Sequence, residues 1–153
     1  MPRVWIKMHL HQELFDETNR WLPLETGGML LGYKDINHDI IITNLIDSGP
    51  EAVHKKKSFI PDGNYQQSEL NKIYKESNSI TTYLGDWHSH PLDHAYMSWL
   101  DRKTIKKIAK TETAREPNPI FIIIGTLLTE AKCWKYNKKK YKNIELLEIK
   151  LFI

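Results

Sequence analysis

The most informative segment of the chain reads Thr82-Tyr83-Leu84-Gly85-Asp86-Trp87-His88-Ser89-His90-Pro91. It predicts a strand that ends at Pro91, because proline has no N–H to give to a sheet ladder. Alternate side chains of a strand point to the same face, so His88 and His90 share one face while Ser89 points away. The segment therefore presents two imidazoles together at a sheet margin, within reach of solvent and of an ion.

Asp101 is the best candidate for a third metal ligand. The short loop 92–97 folds the chain back and starts a helix at Ser98, whose first turn can aim a carboxylate at the histidines. Two imidazoles and one carboxylate suit zinc and leave a fourth tetrahedral position for water, as in catalytic sites. Each feature also has an ordinary interpretation. Two histidines on a strand are more often ordinary surface or core residues than metal ligands. Ser98-x-x-Asp101 also fits a helix capping box.

Glu25 is the candidate general acid/base. It directly precedes Thr26-Gly27-Gly28, where paired glycines allow close backbone approach beside the start of a strand. A carboxylate at this position can lie over a metal ion held by the histidines. Considered alone, a glutamate between a helix and a strand is an ordinary solvated loop residue.

The remaining sequence predicts a mixed α/β (α+β) fold, with a mixed, mainly antiparallel sheet flanked by helices. Strands are predicted at 4–6, 28–33, 40–46, 82–90, 120–125, 131–136 and 144–153, and helices at 10–22, 70–77 and 98–110. The apolar run 120–125 is typical of an interior strand covered on both faces. Residues 61–64 resemble a turn. Alternation in the last strand predicts that Leu147, Ile149, Leu151 and Ile153 share one side.

Length and composition indicate one globular domain over residues 1–153. Of these 153 residues, 41% are hydrophobic and 27% are charged. The formal charge of +3 is too small to argue for a nucleic-acid or membrane partner. Two basic runs, Lys55–Lys57 and Lys138–Lys140 with Lys142, are interpreted as solvated loops, with docking of an acidic partner as the alternative.

The single cysteine, Cys133, excludes a disulfide framework within the chain and a thiolate-rich zinc site. It also excludes the Pro-Cys-x-x-Cys signature of zinc nucleobase deaminases. The N-terminus has no apolar core of signal-peptide length, and no apolar run is long enough to span a membrane. We therefore expect a cytoplasmic protein.

Taken together, these motifs resemble the JAMM (also called MPN or JAB) metallopeptidases. Glu25-x-Gly27-Gly28 comes first, His88-x-His90-Pro91 follows, and six residues later comes Ser98-x-x-Asp101. The resemblance implies a JAMM fold in which zinc is held by His88, His90 and Asp101, with Glu25 and Ser98 completing the site.

The resemblance also implies the chemistry. Glu25 would accept a proton from the zinc-bound water, the hydroxide would attack an amide or isopeptide carbonyl, and Glu25 would pass the proton to the leaving amine. Zinc and the Ser98 hydroxyl would stabilise the oxyanion. The chain departs from many members in having Leu92 after Pro91 and an additional histidine, His94. Asp86 shares the face of His88 and is a candidate acceptor for an imidazole N–H.

Short connectors make the chain similar to the compact bacterial branch of this family. For that branch we expect an isopeptidase or processing peptidase that cleaves after the C-terminal tail of a ubiquitin-like protein or conjugate. Activating and conjugating enzymes of the same operon, including antiphage operons, are the expected partners. Trimming of a sulfur-carrier protein and cleavage of cell-wall or phage-tail peptides remain alternatives. A non-catalytic MPN scaffold is a further one, against which the complete ligand set argues.

Overall fold

The computed structural model describes residues 2–153 and contains three helices and ten strands within that range. The strands are β1 (Val4–Lys7), β2 (Gly27–Lys34), β3 (Ile40–Ile46), β4 (Val53–His54), β5 (Phe59–Ile60), β6 (Thr82–His90), β7 (Ile120–Gly125), β8 (Glu130–Tyr136), β9 (Ile144–Leu147) and β10 (Ile149–Phe152). The helices are α1 (Met8–Trp21), α2 (Gly63–Glu76) and α3 (Trp99–Ala109).

Eight strands form one sheet in the order β10-β1-β3-β2-β6-β7-β8-β9, and β4 and β5 form a separate hairpin. The pairs β2–β3, β2–β6, β7–β8 and β8–β9 are antiparallel. The pairs β1–β10, β1–β3 and β6–β7 are parallel. The predicted mixed, mainly antiparallel sheet is therefore confirmed.

The interior strand β7 separates two hydrophobic cores. Ile120, Ile122 and Ile124 are buried in one cluster with residues of α1, whereas Phe121 and Ile123 pack with Ile105 of α3. Both faces of β7 are thus covered, as its continuous apolar run predicts. The helices flank the sheet on opposite faces, and the end of β6 at His90 lies beside the α3 face.

The end of the chain differs from the prediction of one continuous strand over 144–153. Glu148 separates β9, which pairs with β8, from β10, which pairs with β1 at the other edge of the sheet. Because one residue joins the two edge strands, the sheet must curl until its edges meet. Leu147 and Ile149 pack in the same core cluster, whereas Leu151 and Ile153 are exposed, so the alternation does not produce one buried face.

Helix α2 begins earlier than the sequence predicts. Asp62, interpreted as part of a turn, is the N-cap, and its carboxylate accepts a hydrogen bond from the Tyr65 backbone nitrogen at 3.1 Å. Turns and helix starts favour the same residue types, which explains the error. The preceding basic loop contains the unpredicted β4–β5 hairpin, whose tip carries the exposed Lys55–Lys57. The second basic run is also exposed.

One domain over residues 1–153 stays a prediction, although strands near both ends of the chain pair in the same sheet. Within residues 2–153, every helix is too short or too polar to cross a bilayer.

Candidate metal centre

The structure brings the three predicted ligands together. One donor atom each from His88, His90 and Asp101 lies within 4.8 Å of the others. The two carboxylate oxygens of Asp101 lie 3.0 Å from His88 Nε2 and 3.2 Å from His90 Nε2. All three side chains are largely buried, with 10%, 12% and 14% of their surface exposed. Two residues on one strand and one on a helix thus converge on a common point.

The contacts around the imidazoles orient their Nε2 atoms. The Nδ1 atom of His90 lies 3.1 Å from the carbonyl oxygen of His94, which can only accept, so Nδ1 carries the hydrogen. In the neutral ring, Nε2 then holds the lone pair that a metal requires. Tyr96 packs edge-on against His90, and Phe121 packs edge-on against His88. Packing therefore holds both rings in place.

The donor set fits a metal ion. The Nε2 atom of His88 is buried and forms no aligned hydrogen bond, although Asp101 lies beside it. A buried polar atom without a partner is costly, and a shared cation satisfies it. Ligand atoms on a tetrahedral zinc are about 3.3–3.6 Å apart, given bonds of about 2.0–2.2 Å. The observed separations of 3.0 and 3.2 Å are close to this range.

Asp101 is held by the predicted capping box at the start of α3. The Ser98 hydroxyl oxygen accepts a hydrogen bond from the Asp101 backbone nitrogen at 3.0 Å, and the Ser98 backbone nitrogen donates to Asp101 Oδ2 at 3.0 Å. Burial raises the pKa of Asp101, but the adjacent imidazoles of His88 and His90 outweigh this and hold the pKa well below its usual range. The carboxylate is therefore charged, as a ligand must be.

Burial lowers the pKa of His90, and the hydrogen bond and charge of Asp101 more than offset this, so the net pKa is raised. A proton on His90 Nε2 and a metal ion compete for the same lone pair, and the Asp101 carboxylate attracts both.

Glu25 lines the same cleft as His88 and Asp101. The cleft has a volume of about 340 Å³, and the β4–β5 hairpin and α3 contribute to its walls. Burial raises the pKa of Glu25 above its usual value, against the opposing charges of His88 and His90. A carboxylate whose pKa lies closer to neutrality is a better proton carrier. Another concavity, about 400 Å³ between α1 and α2, contains none of the predicted site residues.

Gly27 and Gly28 allow the segment after Glu25 to lie against its neighbours. A Cβ atom on Gly27 would clash with the Trp87 carbonyl and the Phe59 ring, and one on Gly28 would clash with the Ile46 carbonyl. Only glycine permits this approach without a shift of the backbone. The two glycines therefore bring the Glu25 segment up against β6, which carries the histidines.

Two residues outside the predicted ligand set, Asp86 and His94, contact other groups of the chain. Asp86 accepts a hydrogen bond from the Tyr83 hydroxyl at 3.0 Å, rather than one from an imidazole. Burial raises the pKa of Asp86 to about 6, and the Tyr83 hydrogen bond and His88 oppose that rise. The His94 side chain lies 3.4 Å from Glu130, while its carbonyl is what orients His90. A backbone group leaves no signal in the sequence, so this contact was not predictable.

A sequence profile of the prokaryotic homologs of the JAB domain matches residues 7–137. The chain belongs to the prokaryotic JAB family. This match confirms the resemblance to the JAMM metallopeptidases, the fold class and the expectation of a hydrolytic enzyme.

The JAB chain is similar to two curated bacterial proteins. It is 38% identical to the probable metalloprotease y4qB of Sinorhizobium fredii over 126 residues, which are 81% of this chain and 77% of that protein. It is 33% identical to a CD-NTase/cGAS isopeptidase of Escherichia coli over 101 residues, 66% of this chain and 62% of the relative. The chain thus matches less than two thirds of the isopeptidase's length.

A solution structure of a Desulfitobacterium hafniense protein has the same fold as the JAB chain. The two align with a TM-score of 0.72 over 97% of this chain and 92% of the other, at 21% sequence identity. At that identity, the likeness supports the fold alone.

Proposed function

We propose that this chain is a zinc-dependent isopeptidase that releases a protein joined through its C-terminal tail to an amine. The observation that carries the proposal is that Glu25 lines the same cleft as His88 and Asp101, which cluster with His90. A zinc ion held by these three ligands supplies Lewis acidity, which polarises the scissile carbonyl and makes water a stronger acid.

Glu25 moves the proton in the proposed reaction. Its carboxylate takes a proton from the attacking water, whose oxygen bonds to the carbonyl carbon. The C–N bond then breaks, and Glu25 delivers the same proton to the leaving nitrogen. The raised pKa of Glu25 suits both roles, because the proton must be neither too loosely nor too tightly held. Ser98 supplies a hydroxyl beside Asp101, and its hydrogen is free to donate to the oxyanion while its oxygen accepts the capping bond.

Two relatives guide the choice of substrate. The names metalloprotease and isopeptidase favour a protein substrate and, for the second, a bond to a lysine side chain. We therefore keep a ubiquitin-like protein or its conjugate as one substrate class and add a conjugated CD-NTase as another. The proposal includes activating and conjugating enzymes of the same operon as partners. It also includes a role in antiphage defence and a cytoplasmic location.

The test uses two probes, each with a dye-labelled peptide attached through its lysine amine. In one probe the amine is joined to the C-terminal glycine of a ubiquitin-like protein, and in the other to the C-terminus of a CD-NTase. We expect wild type to release the dye peptide from at least one probe. Glu25→Gln should retain about one zinc per chain and lose cleavage by at least about 100-fold. Glu51→Gln, an exposed glutamate, is the control. An active Glu25→Gln would contradict the acid/base role.

A further inference from the structure

His54, on the short strand β4, is stacked on one aromatic ring and lies beside a second. Its imidazole stacks on Trp21 at the end of α1, with ring centroids 3.4 Å apart and planes inclined by 12°. Phe59 of β5 lies nearly parallel to it at 6.3 Å. The orientation of the imidazole is therefore set by packing, and its edge atoms have defined partners.

The Nδ1 atom of His54 lies 2.9 Å from the backbone carbonyl oxygen of Glu25. A carbonyl oxygen only accepts, so Nδ1 must carry the hydrogen and donate it. In the neutral ring, Nε2 is then an acceptor, and it faces the Ser48 hydroxyl at 3.4 Å. The two hydrogen bonds of His54 therefore agree on one tautomer.

The neighbouring residue completes the attachment of Glu25 to the hairpin. The backbone nitrogen of Glu25 donates to the Lys55 carbonyl oxygen at 2.7 Å. Both polar backbone groups of Glu25 are thus bound by two consecutive residues, His54 and Lys55. Only one of these two contacts depends on a side chain.

We propose that His54 is a positioning residue that holds the backbone of Glu25, and through it the carboxylate, in register with the metal ligands. This inference rests on the proposed role of Glu25. A carboxylate that carries a proton between water and a leaving group must be held closely, because a displacement of about 1 Å can cost about 100-fold in rate. His54 does not line the cleft itself and acts only through Glu25.

Two substitutions separate the hydrogen bond from the aromatic stack. His54→Phe keeps a ring that can stack on Trp21 but has no donor. His54→Asn keeps an N–H group close to the place of Nδ1 but has no ring. The control is His38→Asn, which changes an exposed histidine in the β2–β3 turn. Each variant is tested as the full chain for zinc content, for kcat and KM on the isopeptide-linked dye peptide, and for hydrogen exchange at the Glu25 amide.

We expect His54→Phe to keep about one zinc per chain and a KM within about twofold of wild type, but to lose at least about tenfold in kcat. His54→Asn should stay within about threefold of the wild-type kcat, since it retains the donor. The Glu25 amide should exchange faster in His54→Phe than in His54→Asn or the control, because its segment is held less tightly.

Equal kcat values and equal Glu25 exchange rates in the two His54 variants would overturn the inference. Loss of zinc from His54→Phe would also overturn it, because His54 would then support the ligands rather than Glu25. If Glu25→Gln is inactive while His54→Phe is fully active, only the positioning role fails. If Glu25→Gln is active, the proposed function fails, and the exchange measurement alone decides whether His54 holds the Glu25 backbone.

Discussion

The Ser89 hydroxyl oxygen lies 3.0 Å from the Thr26 backbone nitrogen and accepts its hydrogen bond. The backbone nitrogen of Ser89 also donates to the Thr26 carbonyl at 2.9 Å. Ser89 lies between the two histidine ligands, and Thr26 follows Glu25. This pair therefore joins the strand that holds the two proposed histidine ligands to the segment that holds the proposed acid/base.

Ser89→Ala removes the side-chain acceptor and leaves the buried Thr26 nitrogen without its partner. We expect the free energy of unfolding to fall by about 1–3 kcal/mol, the penalty for an unsatisfied buried donor. Zinc content should be kept, because the ligands remain, while kcat on the isopeptide probe should fall. Chemical denaturation measures the first effect. The exposed Ser68→Ala in α2 is the control and should change stability by less than about 0.5 kcal/mol. If Ser89→Ala were as stable as wild type, the hydrogen bond between Ser89 and Thr26 would not contribute to stability, and this prediction would be wrong.

Gly27→Ala tests the close approach beside Glu25. The added methyl group would meet the Trp87 carbonyl and the Phe59 ring, so the hairpin or the strand must shift. We expect a loss of about 1–3 kcal/mol in stability, typical of overpacking, together with a lower kcat.

Gly63→Ala is the matched control for Gly27, because the added carbon would meet nothing within 4 Å outside its chain neighbours and its own helix backbone. Gly63 is the first residue of α2. Alanine there should raise the free energy of unfolding by about 0.4–1 kcal/mol, because it lowers the conformational entropy of the unfolded chain. Thermal and chemical unfolding of both variants measure the difference. Equal effects of the two substitutions would show that Gly27 is not required for packing.

Removal of metal should lower both activity and thermal stability. Binding of zinc to the folded chain at about 100 times its dissociation constant stabilises it by about 2.7 kcal/mol. We expect a chelator to lower the melting temperature and zinc to restore it, as differential scanning calorimetry would measure. His88→Ala should show neither effect, because one of the three donors is missing. Equal stabilisation of His88→Ala by zinc would place the ion elsewhere.

Cys133 should be chemically silent in the native protein. It is fully buried, and burial raises the pKa of its thiol, so little thiolate is present at neutral pH. We expect no reaction with iodoacetamide in buffer and one alkylated thiol per chain in guanidinium, measured by mass spectrometry. The chain has a single cysteine, so the result is unambiguous. Rapid alkylation of the folded protein would show that β8 opens.

The features predicted correctly depend on residues close together in the chain. The strand β6 and the shared face of His88 and His90 follow from a period of two. The capping box of Ser98 and Asp101 lies within one helical turn, and its two hydrogen bonds are present as predicted. Such contacts require no knowledge of which distant segment packs alongside.

The errors and omissions arise where a choice between distant partners decides the structure. Alternation over 144–153 is compatible with one strand, but Glu148 divides it because β1 offers a second pairing edge. Aspartate is common both in turns and at helix N-caps, so the sequence alone does not show that Asp62 begins α2. The β4–β5 hairpin was missed because each strand has only two residues.

For the candidate metal centre, the sequence by itself determined the residue types, their order and the family, since ligand chemistry and short-range periodicity are local properties. Only the tertiary structure decided how the centre is assembled. It brought Glu25 into the cleft of His88 and Asp101, joined Thr26 to Ser89, and placed His54 against the Glu25 carbonyl. The physical reason is that these contacts span 63 and 29 residues and depend on the pairing of β2 with β6 and on the docking of a hairpin. Long-range contacts of this kind leave no periodic signal in the chain.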